Sequence, residues 1–370
     1  MYKLKENEGQ LVMAKKLKEF QRMLQSEGVD AFLVTNLTNI YYFTEFLSRS
    51  YAFLIVFPEN TSKILVPELE YEEAKEKIRG YEVNKIERNI ELLEMIKQIL
   101  ETNNIKKLGF EESSMTVKLF LDISMKLDFL KLEEGAKLID NLRLMKTAAE
   151  IEKIKRACRI ADKGMECAIE NIEEGKLEIE IAAEIEYKMR KEGSESTPFD
   201  TIVASGYRSA FPHGVSSNKE IEKGEFIILD LGAKYRGYCS DMTRTVVLGP
   251  VSKKQADIYD IVLKVEQKSI NLCEIGRNTS AIEEKSREIF RENRLNEYFV
   301  HSLGHGVGLD VHEGPYLALK SKDILLKDSV FTIEPGIYIP NFGGIRIEDM
   351  ICLSQNGPEI LTKSKYDINI

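Results

Sequence analysis

Carboxylate side chains interrupt apolar, strand-like segments in the C-terminal half of the 370-residue chain. Asp230 lies in the apolar run 226–232, and a buried carboxylate must be neutral, paired or bound to a cation. Asp241 lies as far from the midpoint of the turn 234–237 as Asp230 does. An undistorted hairpin would place the two side chains opposite each other, where like charges repel unless something positive lies between them. A metal ion would supply that charge.

The same arrangement recurs around Asn341. Glu334 and Glu348 lie at equal distances before and after it, so a hairpin centred there would place these carboxylates opposite each other. Strand alternation puts Thr332 and Arg346 on the same polar face. The other face then carries apolar side chains, namely Phe331, Ile333, Ile345 and Ile347. A β-bulge would shift either register by one residue, and the sequence does not exclude one.

Histidines would supply the neutral donors that four carboxylates need beside them. A single histidine is more often an exposed or hydrogen-bonded core residue than a ligand. All four histidines of the chain, however, lie between residue 199 and the second hairpin: His213, His301, His305 and His312. His305 is the best ligand candidate, because the glycines on both sides of it let the backbone approach closely and orient the ring.

The predicted donor set is rich in oxygen, with one imidazole and no thiolate. It suits a pair of Mn²⁺, Co²⁺ or similar ions better than a structural zinc ion. Two such ions about 3.5–4 Å apart would activate a water molecule and polarise a carbonyl group, which is the chemistry of hydrolysis. A nucleophilic Cys239 is the weaker alternative, because no positive group is evident that would make it a thiolate.

The elements that must position these residues differ between the two parts of the chain. The first 140 residues or so alternate between helical and strand-like patterns and predict a mixed sheet with helices on it. The predicted helices are 11–27, 90–101 and 115–126, and the predicted strands are 31–35, 51–57, 63–66 and 106–110. No glycine-rich phosphate loop follows a strand, so this part is expected to be a structural or oligomerisation domain rather than a catalytic one.

A domain boundary is expected at 141–146, because Thr147 and Glu150 form a capping-box pattern that begins a long helix. An apolar stripe continues this helix until Gly175 supplies a stop. Further helices are predicted at 178–191, 253–273 and 280–292, among strands and glycine-punctuated loops. The whole chain is therefore expected to be α+β.

Composition excludes several classes of function. Hydrophobic residues make up 43% and charged residues 31% of the chain, as in ordinary globular proteins. The net charge of −9 opposes a nucleic-acid or anionic-membrane partner. Five scattered cysteines without C-x-x-C spacing indicate neither a disulfide framework nor a thiolate zinc site. No run of 18 apolar residues occurs and the start is charged, so we expect a cytoplasmic protein.

The carboxylate and histidine motifs resemble those of the pita-bread metallopeptidase family, which includes Xaa-Pro aminopeptidases, Xaa-Pro dipeptidases, methionine aminopeptidases and creatinases. All five ligand positions of the family match, at Asp230, Asp241, His305, Glu334 and Glu348. The resemblance implies that Asp241 and Glu348 bridge two metal ions, with Mn²⁺ expected and Co²⁺ or Zn²⁺ as alternatives. Asp230 would complete one site and His305 with Glu334 the other, and Glu334 would help take a proton from the attacking water.

The resemblance also implies roles for residues that are not ligands. His213, His301 and His312 match pocket histidines that bind substrate carbonyls and the developing oxyanion, where removal of one donor costs about 2.7–4 kcal/mol. Arg346 matches the arginine two residues before the last ligand, which would orient a carboxylate or bind substrate. The alternative for Arg346 is a solvated surface side chain.

The resemblance implies a creatinase-type α/β domain at 1–145 and a catalytic pita-bread domain at 146–370. Methionine aminopeptidases generally lack such an N-terminal domain, and creatinases have lost the metal set present here. A homodimeric Xaa-Pro peptidase, cleaving before proline in peptides or dipeptides, is therefore the leading hypothesis. An aminopeptidase of methionine type and a non-catalytic peptide-binding protein on the same fold are the alternatives.

Overall fold

The computed structural model describes residues 2–87 and 91–370, so the predicted helix start at Ile90 lies outside the described residues. The chain divides into two compact units, of which the first ends at Leu142 and the second begins at Arg143. They are called the N-terminal unit and the C-terminal unit.

The N-terminal unit is a six-stranded mixed sheet with helices. Its strands are β1 (Ala31–Val34), β2 (Phe53–Val56), β3 (Lys63–Pro67), β4 (Glu82–Ile86), β5 (Lys107–Phe110) and β6 (Lys131–Glu134). Its helices are α1 (Tyr2–Glu27), α2 (Leu37–Thr44), α3 (Tyr71–Lys77), α4 (Leu92–Thr102), α5 (Val117–Lys126) and α6 (Ala136–Leu144), which runs past Leu142. The sheet order is β4-β3-β2-β1-β5-β6, with both parallel and antiparallel pairs. The predicted mixed sheet is confirmed.

Sequence patterns missed β4 and β6, which are the two edge strands of this sheet. Their sequences, Glu-Val-Asn-Lys-Ile and Lys-Leu-Glu-Glu, are mostly polar. Edge strands commonly carry charged side chains because these discourage pairing with another chain. A search for apolar runs finds the central strands and overlooks such edges.

The C-terminal unit combines four long helices with short strands in several sheets. The helices are α7 (Ala148–Asn171), α8 (Glu178–Lys191), α9 (Lys253–Asn271) and α10 (Thr279–Glu292). One sheet has the order β11-β8-β7, built from β7 (Ile202–Ser205), β8 (Phe226–Leu231) and β11 (Met242–Val247). The short pair β9 (Lys234–Tyr235) and β10 (Tyr238–Cys239) lies in the connection from β8 to β11.

The second large sheet of this unit has five strands in the order β13-β12-β14-β17-β18. These are β12 (Gly304–Gly306), β13 (Glu313–Leu317), β14 (Val330–Ile333), β17 (Asp349–Ser354) and β18 (Gly357–Ile360). The hairpin of β15 (Gly336–Ile339) and β16 (Gly343–Arg346) is inserted between β14 and β17.

The ends of α8 match the prediction, whereas α9 ends two residues before the predicted 273 and α10 begins one residue before the predicted 280. Thr147 and Glu150 form the predicted capping box. Helix α7, however, ends at Asn171 instead of continuing to Gly175, because Ile172 is already extended and Gly175 donates its N–H to Ile221 O at 2.9 Å. Within the described part of the chain, no helix has the length and apolar character needed to cross a membrane.

Two apolar cores lie on opposite sides of β8. Leu229 and Leu231 pack with residues of α7 and α8, such as Ile160 and Ile185. Phe226 packs instead into the core that contains residues of α9 and α10. Asp230 follows the alternation of the strand and points away from the α7–α8 core. The strand thus buries its apolar side chains while turning its carboxylate to the other face.

The predicted register of the first hairpin is wrong. Asp230 pairs with Thr243 rather than with Asp241, so the register differs by two residues. The turn is centred on Arg236 and Gly237, both with positive φ, at 47° and 77°. Such a turn matches strand twist, and glycine adopts positive φ at little cost. A register shift of two residues keeps Asp241 on the same face of the sheet as Asp230, so the two side chains become diagonal neighbours.

The predicted register of the second hairpin is confirmed. Gly336 pairs with Arg346 in the β15–β16 pair, and Ile333 pairs with Asp349 in the β14–β17 pair, so both strand pairs follow the same register. Glu334 and Glu348 lie between these two strand pairs and face each other. The four apolar residues predicted for the opposite face, Phe331, Ile333, Ile345 and Ile347, all lie in one core cluster.

Replacing Leu229 by alanine should lower the free energy of unfolding of the C-terminal unit by about 2–5 kcal/mol, because it leaves a cavity beside β8, the strand that carries Asp230. Urea denaturation followed by circular dichroism measures this change. The control is Leu319→Ala in the same unit, where the side chain is 46% exposed and the loss should be about 0.5 kcal/mol or less. Equal losses for both variants would contradict the described packing.

Candidate metal centre

Three buried side chains converge in the C-terminal unit: His305 on β12, Asp241 just before β11 and Glu348 just before β17. Asp241, His305 and Glu348 each present one potential ligand atom, and these atoms all lie within 4.8 Å of one another. They are only 5%, 7% and 2% exposed. The structure thus brings together three of the five residues predicted to bind metal.

Glu334 lies beside these three residues. His305 Nε2 is 3.3 Å from Glu334 Oε1 and 3.8 Å from Asp241 Oδ2. The other ring nitrogen, His305 Nδ1, is 3.1 Å from Gly306 O. A proton on Nδ1 that is donated to this carbonyl leaves the Nε2 lone pair facing the carboxylates, as in metal-ligating histidines.

The glycines that flank His305 are required by close backbone contacts. A Cβ atom at Gly304 would lie 2.1 Å from Thr332 O, and one at Gly306 would lie 1.9 Å from Gly314 O. Backbone atoms cannot move aside as side chains can, so larger residues would displace β12. The predicted role of these glycines is confirmed.

Asp230, the fifth predicted ligand, is held by Arg346. Arg346 Nη2 donates to Asp230 Oδ2 at 2.6 Å, and Arg346 Nε donates to Thr243 Oγ1 at 3.0 Å. Thr243 Oγ1 in turn donates to Glu348 Oε2 at 2.7 Å. The other oxygen of Asp230, Oδ1, is buried and has no hydrogen-bond partner among the described residues. Arg346 is buried, which excludes a solvated surface arginine.

The four carboxylates destabilise one another in their ionised forms. Burial raises the pKa of Asp241 well above its usual value, and the negative charges of Glu348, Asp230 and Glu334 raise it further. Burial and the charges of Glu334 and Asp230 act in the same way on Glu348. Burial also raises the pKa of Asp230 and of Glu334, although Arg346 opposes the shift at both.

This donor set fits divalent cations. One guanidinium cannot neutralise four carboxylates that are buried or partly buried, and Asp230 Oδ1 lacks a donor in the described structure. Burial lowers the pKa of His305 to about 4, so its imidazole is neutral near pH 7 and can act as a ligand. Carboxylate oxygens with one imidazole suit manganese-type ions rather than a thiolate zinc site.

Two further histidines lie against the cluster. The rings of His312 and His305 are in edge contact, with centroids 4.2 Å apart. His213 is exposed, but it is close enough to Asp230, His301 and His312 to influence the pKa of each. Both histidines are therefore near the carboxylates, as predicted for the substrate side of the site.

His301 is connected to the cluster through Tyr338, a residue that sequence reasoning missed. Arg346 Nη1 donates to Tyr338 Oη at 2.7 Å, and this hydroxyl is 3.0 Å from His301 Nε2. The Tyr338 hydroxyl lies 2.6 Å from the position that a Cβ of Gly336 would take. Alternation along β15 places Tyr338 on the same face as Glu334, which is the signal that would have identified it.

Cys239 does not have the environment of a nucleophile. It is buried, its Sγ is 3.4 Å from Leu309 O, and burial raises the pKa of its thiol to about 12. A catalytic cysteine requires a stabilised thiolate. The cysteine alternative is therefore rejected.

Family models match both parts of the chain. Residues 152–355 match metallopeptidase family M24, and residues 16–145 match the creatinase/prolidase N-terminal domain. The chain is 40% identical to a Xaa-Pro dipeptidase from Pyrococcus furiosus, over 96% of this chain and 100% of the relative.

Solved structures show the same fold. A Xaa-Pro dipeptidase from Bacillus anthracis has a TM-score of 0.92 at 36% identity, covering 97% of this chain and 100% of that one. An X-Pro aminopeptidase from Thermotoga maritima has a TM-score of 0.86 at 36% identity, covering 93% and 99%. The predicted α+β architecture, a pita-bread fold preceded by a creatinase-type domain, is confirmed. The chain belongs to metallopeptidase family M24.

Proposed function

We propose that this protein is a metal-dependent exopeptidase that hydrolyses the bond between an N-terminal residue and a following proline. The observation that carries the proposal is the convergence of buried Asp241, His305 and Glu348, with Glu334 3.3 Å from the histidine. The relatives named as Xaa-Pro dipeptidase and X-Pro aminopeptidase support proline-directed cleavage. Dipeptides are the favoured substrates, because the relative at 40% identity carries the dipeptidase name.

The residues that would hold two divalent ions are Asp230, Asp241, His305, Glu334 and Glu348. Mn²⁺ is the proposed ion, with Co²⁺ and Zn²⁺ as alternatives. When bound, such ions lower the pKa of a water molecule and polarise the scissile carbonyl group. Asp241 and Glu348 would each be shared by both ions, as the family resemblance implies; burial, followed by the charges of neighbouring carboxylates, raises the pKa of each.

Glu334 is the proposed general base. Its pKa is raised by burial, which brings the carboxylate closer to the working pH at which a base is most effective. Thr332 Oγ1 donates to Glu334 Oε1 at 3.3 Å and limits the orientations of the carboxylate. A proton accepted at Glu334 would then be available for the leaving amine.

His213, His301, His312 and Arg346 are proposed to act on the substrate side. Burial lowers the pKa of His301 to about 4, so the ring is neutral and hydrogen-bonds without carrying charge. Arg346 keeps Asp230 and Tyr338 in place through hydrogen bonds of 2.6 and 2.7 Å. Neutral donors near the scissile carbonyl would stabilise the developing oxyanion.

The proposal extends to the organisation of the chain. We assign residues 1–145 to the creatinase-type domain and 146–370 to the catalytic domain, as a homodimer that works in the cytoplasm. The five cysteines are free thiols, which fits a reducing compartment. A methionine-type aminopeptidase and a non-catalytic peptide-binding protein remain the competing functions.

The substrate class is tested with metal-stripped protein and three substrates: a Xaa-Pro dipeptide, a Xaa-Pro-Xaa tripeptide and a Met-Ala peptide. Release of the N-terminal residue is measured before and after adding Mn²⁺, Co²⁺ or Zn²⁺. We expect metal-restored cleavage only before proline, with the dipeptide cleaved faster than the tripeptide. Cleavage of Met-Ala alone would indicate a methionine-type enzyme, and no turnover with any ion would favour a binding protein.

Asp241→Asn should reduce kcat at saturating substrate below the detection limit, because the amide cannot supply a bridging carboxylate. Asp257→Asn is the matched control, since Asp257 is exposed on α9 and should tolerate the same change without loss of activity. Bound manganese is measured for both proteins by elemental analysis. Near-normal turnover by Asp241→Asn at low added metal would contradict the proposed role of Asp241.

A further inference from the structure

Glu178, the first residue of α8, is a fully buried carboxylate outside the metal centre. Its Oε1 accepts hydrogen bonds from Ser205 N at 2.7 Å and Ser205 Oγ at 2.9 Å. Its Oε2 accepts from Arg208 Nε at 3.0 Å, from Ser217 N at 3.1 Å and from Ser217 Oγ at 2.7 Å. All five donors belong to the segment 205–217, which carries His213 and is called the His213 loop.

The opposite side of the His213 loop is fastened to the second hairpin. Ser209 Oγ accepts from Gly344 N at 2.8 Å, and a Cβ atom at Gly344 would lie 2.0 Å from Ser209 O. Arg346 Nη1 is 3.4 Å from Pro212 O, next to His213. The loop is therefore held between Glu178 and the strand that presents Arg346, while the His213 side chain itself is exposed.

We propose that Glu178 is a positioning residue that fixes the His213 loop, and with it the His213 ring, for substrate binding. This inference rests on the proposed function, because His213 is assigned there to the substrate side. Glu178 does not belong to the five metal-binding residues, and its effect is transmitted through Ser205, Arg208 and Ser217. A loop that moves by about 1 Å can lower catalytic efficiency about 100-fold, even when its anchor is distant from the reaction.

The positioning role requires a carboxylate at position 178. In Glu178→Gln the amide oxygen can still accept from Ser205, but the amide NH₂ then faces the N–H groups of Arg208 and Ser217. Donors that face donors lose their hydrogen bonds, whereas the size of the side chain hardly changes. The variant thus releases one end of the His213 loop without creating a cavity.

Glu111 in the N-terminal unit provides a matched control. Its buried carboxylate accepts hydrogen bonds from Thr35 N at 2.6 Å, Asn36 N at 2.9 Å and Asn39 Nδ2 at 2.6 Å. Glu111→Gln therefore makes the same chemical change in a comparable buried hydrogen-bond network, which holds the start of α2. It should lower thermal stability without altering the kinetics of peptide cleavage.

The experiment measures kcat and KM for a Xaa-Pro dipeptide with manganese-loaded, full-length wild type, Glu178→Gln, Glu178→Asp and Glu111→Gln, well below the Tm of each. Hydrogen exchange of the amides at 205–217 is followed in the same samples. For Glu178→Gln we expect kcat/KM to fall about 10- to 100-fold, mainly through a higher KM, with faster exchange in the loop and unchanged bound manganese. Glu178→Asp, which retains the charge, should recover part of the loss.

Three outcomes would overturn the proposal: wild-type kcat/KM in Glu178→Gln, equal kinetic losses in Glu178→Gln and Glu111→Gln, or unchanged exchange at 205–217. If Glu178→Gln does not fold, Ser217→Ala removes a single donor and should give a smaller loss of the same kind. A wild type that cleaves no Xaa-Pro peptide would refute the proposed function and the positioning role together. A fully active wild type with an unaffected Glu178→Gln would refute the positioning role alone.

Discussion

Four carboxylates, two of them buried and two partly buried, lie close together in the C-terminal unit, and their mutual repulsion must be offset for this unit to fold. Burial raises the pKa of Asp230, Asp241, Glu334 and Glu348, and the charges of neighbouring carboxylates raise it further at the last three. Among the described residues, Arg346 is the single arginine that donates to any of these four carboxylate groups, and it donates only to that of Asp230. Like charges without compensation would destabilise the fold. Divalent cations would offset this repulsion, and they would also supply the chemistry proposed for the site.

The strands bury apolar side chains and also bring the carboxylates close together. Strand β8 turns Leu229 to the core covered by α7 and α8, while Asp230 lies on the other face. Glycines at positions 304 and 306 let β12 approach its neighbours closely enough to bring His305 to the carboxylates. Arg346 then links Asp230 to Tyr338, and through it to His301, so the proposed metal centre and the proposed substrate side share one hydrogen-bond network.

The sequence predicted those parts of the fold that depend on local patterns. Alternation and the position of Asn341 identified the second register, and the capping box at Thr147 located the start of α7. The first register was wrong because two adjacent positive-φ residues, Arg236 and Gly237, moved the turn. Tyr338 and Glu178 were missed because their partners lie between 8 and 39 positions away in the chain, and no local period marks such contacts.

The most direct test of the proposed metal centre is calorimetric titration of metal-stripped protein with Mn²⁺ in two buffers of different ionisation enthalpy. Burial raises the pKa of Glu334 to about 8 and that of Asp241 and Glu348 well above their usual values, so metal binding near pH 7 should release protons. We therefore predict two ions per chain, a heat that differs between the buffers, and an affinity that rises with pH. Binding of one ion or none, or the same heat in both buffers, would contradict the proposal that these carboxylates bind two ions and release protons.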